Sequence, residues 1–218
     1  MIPGEKVFIS WSSGKDSYLA MLKAQEAGLN PGKLLTYIDK KGGSISHGVP
    51  VQLLKQQAKA LGLPQVLVPV VRGKYAESFH KVITELKLKG FKGGVFGDIN
   101  LVDHRRWVEK ACSRAAVNCH LPLWGMKEED VLHELLARNV KLLIVALRRD
   151  LIEDKWLGRF LDLDFINEIR NKSLSVCGET GEYHTLVING PLFEEELKIE
   201  TSGFKTVGNT VLLDYNFG

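Results

Sequence analysis

Two stretches of the chain concentrate groups that bind phosphate or move protons. The first is Ser10-Trp11-Ser12-Ser13-Gly14-Lys15-Asp16-Ser17, which falls where an apolar run gives way to a helical pattern. Such a junction presents unpaired backbone N–H groups and the positive end of a helix dipole, so it binds anions. Ser12, Ser13 and Ser17 add hydroxyl donors, Gly14 allows close backbone approach, and Lys15 supplies a point charge. It is not the Walker A loop, which needs a glycine where Ile9 stands and a Ser or Thr where Asp16 stands. The dinucleotide fingerprint is excluded for want of its glycines. The plain alternative is a polar strand-to-helix turn with a capping serine.

The second stretch is Cys177-Gly178-Glu179-Thr180-Gly181-Glu182-Tyr183-His184-Thr185. A surface hairpin would also hold Gly, Thr and Glu. Two glutamates and a histidine this close could instead hold magnesium, orient an amine nucleophile or take its proton. A third signal, Phe96-Gly97-Asp98-Ile99, ends a short apolar run and puts Asp98 where a doubly wound sheet positions a ligand to nucleotide or metal. In the helix start that follows, Asp103 reads as a cap, with Arg106 and Lys110 facing water.

The elements that must carry these groups follow from periodicity. Lys6 to Trp11, Lys33 to Ile38, Gln65 to Val71 and Gly94 to Phe96 read as strands, and Lys141 to Leu147 as a fifth. Helical stripes lie between them: Ala20, Met21, Ala24 and Ala27; Leu54, Ala58 and Leu61; Phe79, Val82, Ile83 and Leu86; Val108, Ala111, Cys112 and Ala115; then Lys127 to Arg138. The residues from Asp39 to Pro50, with three glycines, read as a mobile loop. Five alternations predict an α/β fold, an open, doubly wound parallel sheet with its site at the carboxyl ends of the strands. After Arg148 the spacing is irregular until Leu186 to Ile188, which predicts a smaller C-terminal region behind a soft boundary. We expect residues 1–126 to bind nucleotide and 127–218 to bind the acceptor.

At 218 residues, 44% hydrophobic and 25% charged, the composition is that of a globular domain, not a disordered or fibrous chain. No apolar run could span a bilayer and Met1 to Trp11 lacks a secretory pattern, so the cytoplasm is the expected location. A net charge of +3 is too mild for a nucleic-acid footprint. Three cysteines without a CxxC pair exclude a disulfide framework, and Cys112, Cys119 and His120 lack a fourth zinc ligand.

The loop at Ser12 resembles the PP-loop, SGGKDS, of the ATP pyrophosphatase superfamily, with Ser13 in a glycine's place. With His47-Gly48-Val49-Pro50, Leu54, Gln57, Ala58, the FGDI segment, Arg105, Trp107, Glu109, Pro122-Leu123-Trp124 and the stretch Gly178 to Thr185, the order of motifs resembles the diphthine–ammonia ligase family from about Ser10 to Phe193. The resemblance implies a sheet of the HUP type and a ligase reaction. A carboxylate, that of diphthine on elongation factor 2, is adenylated by ATP and then attacked by ammonia, releasing AMP and pyrophosphate. It further implies Mg2+ with ATP, and phosphate contacts from Ser12, Ser13, Gly14, Lys15, Asp16 and Ser17. Tyr37 and Ile38 would meet adenine through their backbone, with Gly97 and Asp98 nearby, and Asp16 and Asp98 are the candidate metal ligands. The implied catalytic groups are Lys15, Asp16, Glu179, Glu182 and His184; acceptor contacts fall to His47, Arg105, Tyr183 and His184. Thr180 and His184 stand where family members tied to diphthamide have Gly and Glu. His184 resembles a bacterial branch with an amide-forming role on a cobalamin-related, small-molecule acceptor. An ATP-binding regulatory module without ligase activity is the alternative of another class, a membrane partner is not expected, and self-association is left open.

Overall fold

The computed structural model describes residues 2–40, 42–45, 47–71 and 73–216. Strands β1 (Lys6–Ser10), β2 (Asn30–Ile38), β3 (Gln65–Pro69), β4 (Gly93–Val95) and β5 (Asn118–His120) form one sheet in the order β3-β2-β1-β4-β5. Every pairing in it is parallel. Helices α1 (Lys15–Glu26), α2 (Val51–Ala60), α3 (Tyr75–Leu88) and α4 (Val102–Ala115) make the crossovers. Val7, Phe8 and Ile9 of β1 have no exposed surface, as expected of a central parallel strand covered on both faces. Strand order reverses between β1 and β4, and this is the crevice where such sheets bind ligands. The α/β, doubly wound reading therefore holds.

The fifth strand of that sheet is not the expected one. Lys141–Arg148 is β6, and it pairs antiparallel with β7 (Tyr183–Asn189) and β9 (Thr210–Tyr215) in a second sheet ordered β7-β6-β9-β8. Its partner β8 (Thr201–Val207) lies at the edge, paired with β9. The parallel sheet is closed instead by β5, three residues without an apolar run. In sequence α5 (Glu128–Ala137) joins the two sheets, and α6 (Leu163–Asn171) lies between β6 and β7; α6 is capped by Asp162, whose carboxylate accepts from the Phe165 N–H at 2.9 Å.

The two sheets share one core. Tyr18 and Leu19 of α1 cluster with Leu142 and Ile144 of β6, Phe165 of α6 and Val187 of β7. This explains the continuous apolar run in the middle of α1: Tyr18 through Leu22 and Ala24 are buried, because the helix is packed between the parallel sheet and the C-terminal one. The opposite face of the parallel sheet carries a second cluster that includes Phe8, Tyr37, Phe79 and Phe96.

The segment from Asp39 to Pro50, of which Lys41 and Ser46 lie outside the described residues, folds back as a flap instead of an open loop. Asp39 N–H donates to the Gly43 carbonyl at 2.8 Å, Ser44 to Val49 at 2.8 Å and Ile45 to Tyr37 at 3.0 Å. The flap thereby covers the carboxyl end of β2 and delivers His47 to the phosphate loop.

Candidate functional site

The junction of β1 and α1 is held from the C-terminal sheet. Val187 N–H donates to the Ser13 carbonyl at 3.0 Å, and Lys15 N–H donates to Thr185 Oγ1 at 3.2 Å. Gln57, buried on α2, ties the same parts together: its Nε2 donates to the carbonyls of Ser13 at 3.1 Å and Val187 at 2.7 Å, while its Oε1 accepts from the Trp11 indole at 3.0 Å. A Cβ on Gly14 would run into the His47 ring and the Thr185 carbonyl, so only glycine lets flap and β7 close over the turn. Ser13 has φ +76°, a left-handed conformation that suits glycine, and its buried Oγ makes no hydrogen bond. The turn is thus a glycine position occupied by serine.

Two cavities open from this junction. The larger, about 720 Å3, is within the range of small-molecule sites. One wall is aromatic: Tyr75, Phe79 and Trp107 contact one another with ring centroids 4.9–6.2 Å apart. The other wall is polar, with Ser12, Asp16, Ser17 and Asp98. Gly97 brings the end of β4 against α1, since a Cβ there would lie 2.8 Å from the Asp16 backbone. The Asp98 carboxylate accepts from His104 Nδ1 at 2.8 Å, and that bond raises the imidazole above its usual value.

The smaller cavity, about 150 Å3, lies beneath the flap and the second proton-handling stretch. His47 and His184 stack with centroids 4.6 Å apart on one side; Lys15, Tyr183 and Glu179 are among the other groups lining it. Burial, reinforced by Lys15, lowers the His184 imidazole to about 4. Burial, then His184 and Lys15, holds His47 well below its usual value. Burial also pushes the Glu179 carboxyl up to about 7, with the charge of Asp16 adding to it. For Lys15 burial opposes the charge, but Asp16, whose two oxygens lie 2.8 and 2.7 Å from Nζ, outweighs it, and the ammonium is held above its ordinary value. Asp16 and Glu179 line both cavities.

The structure brings together Ser12, Lys15, Asp16, Ser17, Gly97, Asp98, His47, Glu179, Tyr183 and His184 around these two spaces. Other expected site residues fall outside. Ser13 and Gly14 are turned inward and line neither cavity. Tyr37 and Ile38 also line neither. Their carbonyls accept from Ile45 at 3.0 Å and Val70 at 2.9 Å, so the flap and the residue after β3 have taken the backbone expected to meet adenine. Arg105 lines neither cavity: its guanidinium lies over the Trp124 ring at 4.8 Å, and its Nε donates to Glu109 at 2.7 Å. Glu182 is buried and its carboxylate accepts from Thr180 N–H at 3.1 Å, Thr180 Oγ1 at 2.5 Å and Ser175 N–H at 3.4 Å. Its carboxylate thereby holds the turn that carries Glu179 and lines neither cavity. Asp103 lies inside the first turn of α4, and no side chain caps that helix.

Residues not anticipated as site groups complete the walls. Phe79 reads as part of a core stripe, and Tyr75, one helical turn before it, carries no signal of its own in the sequence. Glu128 accepts from Ser175 Oγ at 2.7 Å and Cys177 N–H at 3.0 Å and so anchors the turn to α5; nothing in its local sequence separates it from a surface glutamate. Among the described residues no group of three His, Cys, Asp or Glu could hold a metal ion. A Mg2+ that arrives on a nucleotide needs only one or two carboxylates besides phosphate, and Asp16 and Asp98 face the same cavity.

Family models described as the diphthamide synthase N-terminal domain and C-terminal domain match residues 5–119 and 127–211. The chain belongs to the diphthamide synthase family. Relatives named diphthine–ammonia ligase include the Bos taurus protein, 27% identical over 218 residues and spanning 88% of this chain and 81% of that one. The Homo sapiens protein is 26% identical over 217 residues with the same two shares. The Mus musculus protein is 32% identical over 135 residues, 60% of this chain and 51% of its own. Membership in the diphthamide synthase family covers both sheets, so the phosphate loop and the stretch at Glu179 fall in different matched domains that meet at one site.

Proposed function

We propose that this chain is an ATP-dependent amide-forming ligase that adenylates a carboxylate and transfers ammonia to it, releasing AMP and pyrophosphate. The observation that carries the reading is the pair of cavities joined at Asp16 and Glu179. One is sized and walled for a nucleotide, the other is small, polar and lined by proton-handling groups, as two successive half-reactions require. The diphthine–ammonia ligases among its relatives make diphthine on elongation factor 2 the acceptor of choice. A small-molecule acceptor is the second reading, favoured by His184, which puts an imidazole where a carboxylate would stand.

Residues 1–126 bind ATP in this scheme and residues 127–218 present the acceptor, in the cytoplasm where the elongation factor works. The purine stacks on the wall of Tyr75, Phe79 and Trp107. The phosphates meet Ser12, Ser17 and the N-terminal end of α1. Lys15, kept charged, steadies the negative charge that grows on the departing pyrophosphate. Mg2+ bound with the nucleotide would be held by Asp16 and Asp98 and would neutralise phosphate charge. Glu179, poised to titrate near neutrality at the junction of the cavities, takes the proton released when nitrogen attacks.

The test is conversion of ATP to AMP and pyrophosphate with diphthine-bearing elongation factor 2 and ammonium present. Lys15→Ala should abolish it. Wild-type turnover in that variant would remove the phosphate loop from the reaction, and bound ATP never converted with any acceptor would mark a regulatory module instead.

A further inference from the structure

The reading above leaves open where the nitrogen waits. We propose that the smaller cavity is the seat of neutral ammonia, held against the His47–His184 wall with Glu179 between it and the nucleotide cavity; the proposal rests on the ligase reading. The chamber, about 150 Å3, has room for a few water-sized molecules and none for a nucleotide. Its wall suits an uncharged N–H donor. A neutral imidazole offers one lone pair, and two stacked rings, 4.6 Å apart, sit on the same side of the space. Lys15 also lines the chamber, but its ammonium is paired with the Asp16 carboxylate at 2.7 and 2.8 Å, which leaves the imidazole lone pairs to the nitrogen.

Amide formation needs the neutral molecule, because protonated nitrogen has no lone pair with which to attack. The lone pair forms the C–N bond at the acyl carbon of the adenylate. The C–O bond to the adenylyl phosphate then breaks, and AMP leaves with that electron pair. One N–H proton passes to the Glu179 carboxylate, which lines both spaces and so faces the nitrogen on one side and the acyl group on the other. Thr185 and Tyr183 line the floor without competing as bases: the Tyr183 hydroxyl donates to the Val176 carbonyl at 2.6 Å, and Thr185 Oγ1 accepts from Lys15 N–H.

Steady-state kinetics with ammonium chloride as the variable substrate provides the first test. His184→Gln should raise the KM for ammonium about tenfold while the Kd for ATP stays at the wild-type value. A wild-type enzyme that turns over ATP, paired with a variant whose ammonium KM is unchanged, overturns the ammonia seat and leaves the ligase reading standing. An acceptor-independent measurement covers the case in which no turnover is found. Imidazole 15N resonances of the full-length protein are followed during titration with ammonium chloride at alkaline pH, against choline chloride at equal ionic strength. Saturable shifts of His47 and His184 confined to the ammonium series are expected; identical responses in the two series sink the proposal whatever the fate of the ligase reading.

Discussion

Single residues carry most of the chemical argument. Ser13 occupies a left-handed turn with a buried hydroxyl that bonds to nothing. An L-residue there costs about 1–2 kcal/mol, against roughly 0.5–1 kcal/mol of extra chain entropy lost by glycine. Ser13→Gly should therefore stabilise the protein by about 1 kcal/mol, seen as a higher urea midpoint at unchanged slope; a lower midpoint would mean that the hydroxyl contributes to the fold. Glu179 makes the second residue-scale prediction. As a base it must be ionised, so activity should rise with pH through about 7 and level off above. Glu179→Gln should flatten that limb and lower the rate by about 10²–10⁴-fold; an intact limb in the variant would assign the titration elsewhere.

Elements explain why those residues meet, and how much could be read in advance. β1 was legible because Val7, Phe8 and Ile9 form an apolar run that ends in a turn, and the site's place at the carboxyl ends of β1 and β4 followed from it. β5 was not, since Asn118-Cys119-His120 has no apolar signature, and β8 was not, since all its residues are exposed. β6 was seen as a strand but put in the wrong sheet: six successive buried residues say that both faces are covered and nothing about which neighbours cover them. At the site, Lys15, Asp16 and Glu179 announced themselves by residue type. The stacked histidines and the Gln57 bridge depend on contacts between residues more than 100 positions apart, which local patterns do not encode. Gln57 is also where an element-scale prediction belongs. Gln57→Leu strands the Trp11 indole and takes one donor from the Ser13 and Val187 carbonyls, and at about 1–3 kcal/mol for a buried unsatisfied group should lower stability by about that much and weaken ATP binding. Unchanged chemical denaturation would show the clamp to be dispensable.

At the scale of the whole molecule the two sheets are one folding unit. Because α1 is buried between them, a chain ending at residue 126 should expose Leu19 and its neighbours and show neither cooperative unfolding nor ATP binding. A well-dispersed NMR spectrum from that fragment would contradict the shared core. The histidine wall adds an acid sensitivity whose sign is fixed. The folded state resists protonating His184, whose value falls from 6.5 to about 4, so unfolded chains bind the extra proton and stability is lost as pH drops from about 6.5 to about 4. His184→Gln should gain on wild type across that window, and parallel pH profiles would refute it.

The bond from Lys15 N–H to Thr185 Oγ1 and that from Val187 N–H to the Ser13 carbonyl make the phosphate loop and β7 a single mechanical piece. Any nucleotide that repositions the loop must also shift the strand bearing His184, so occupancy of the two spaces is thermodynamically linked. Reciprocity then sets the size of the effect: whatever factor by which ATP tightens the hold on the occupant of the smaller space, that occupant tightens ATP's by the same factor.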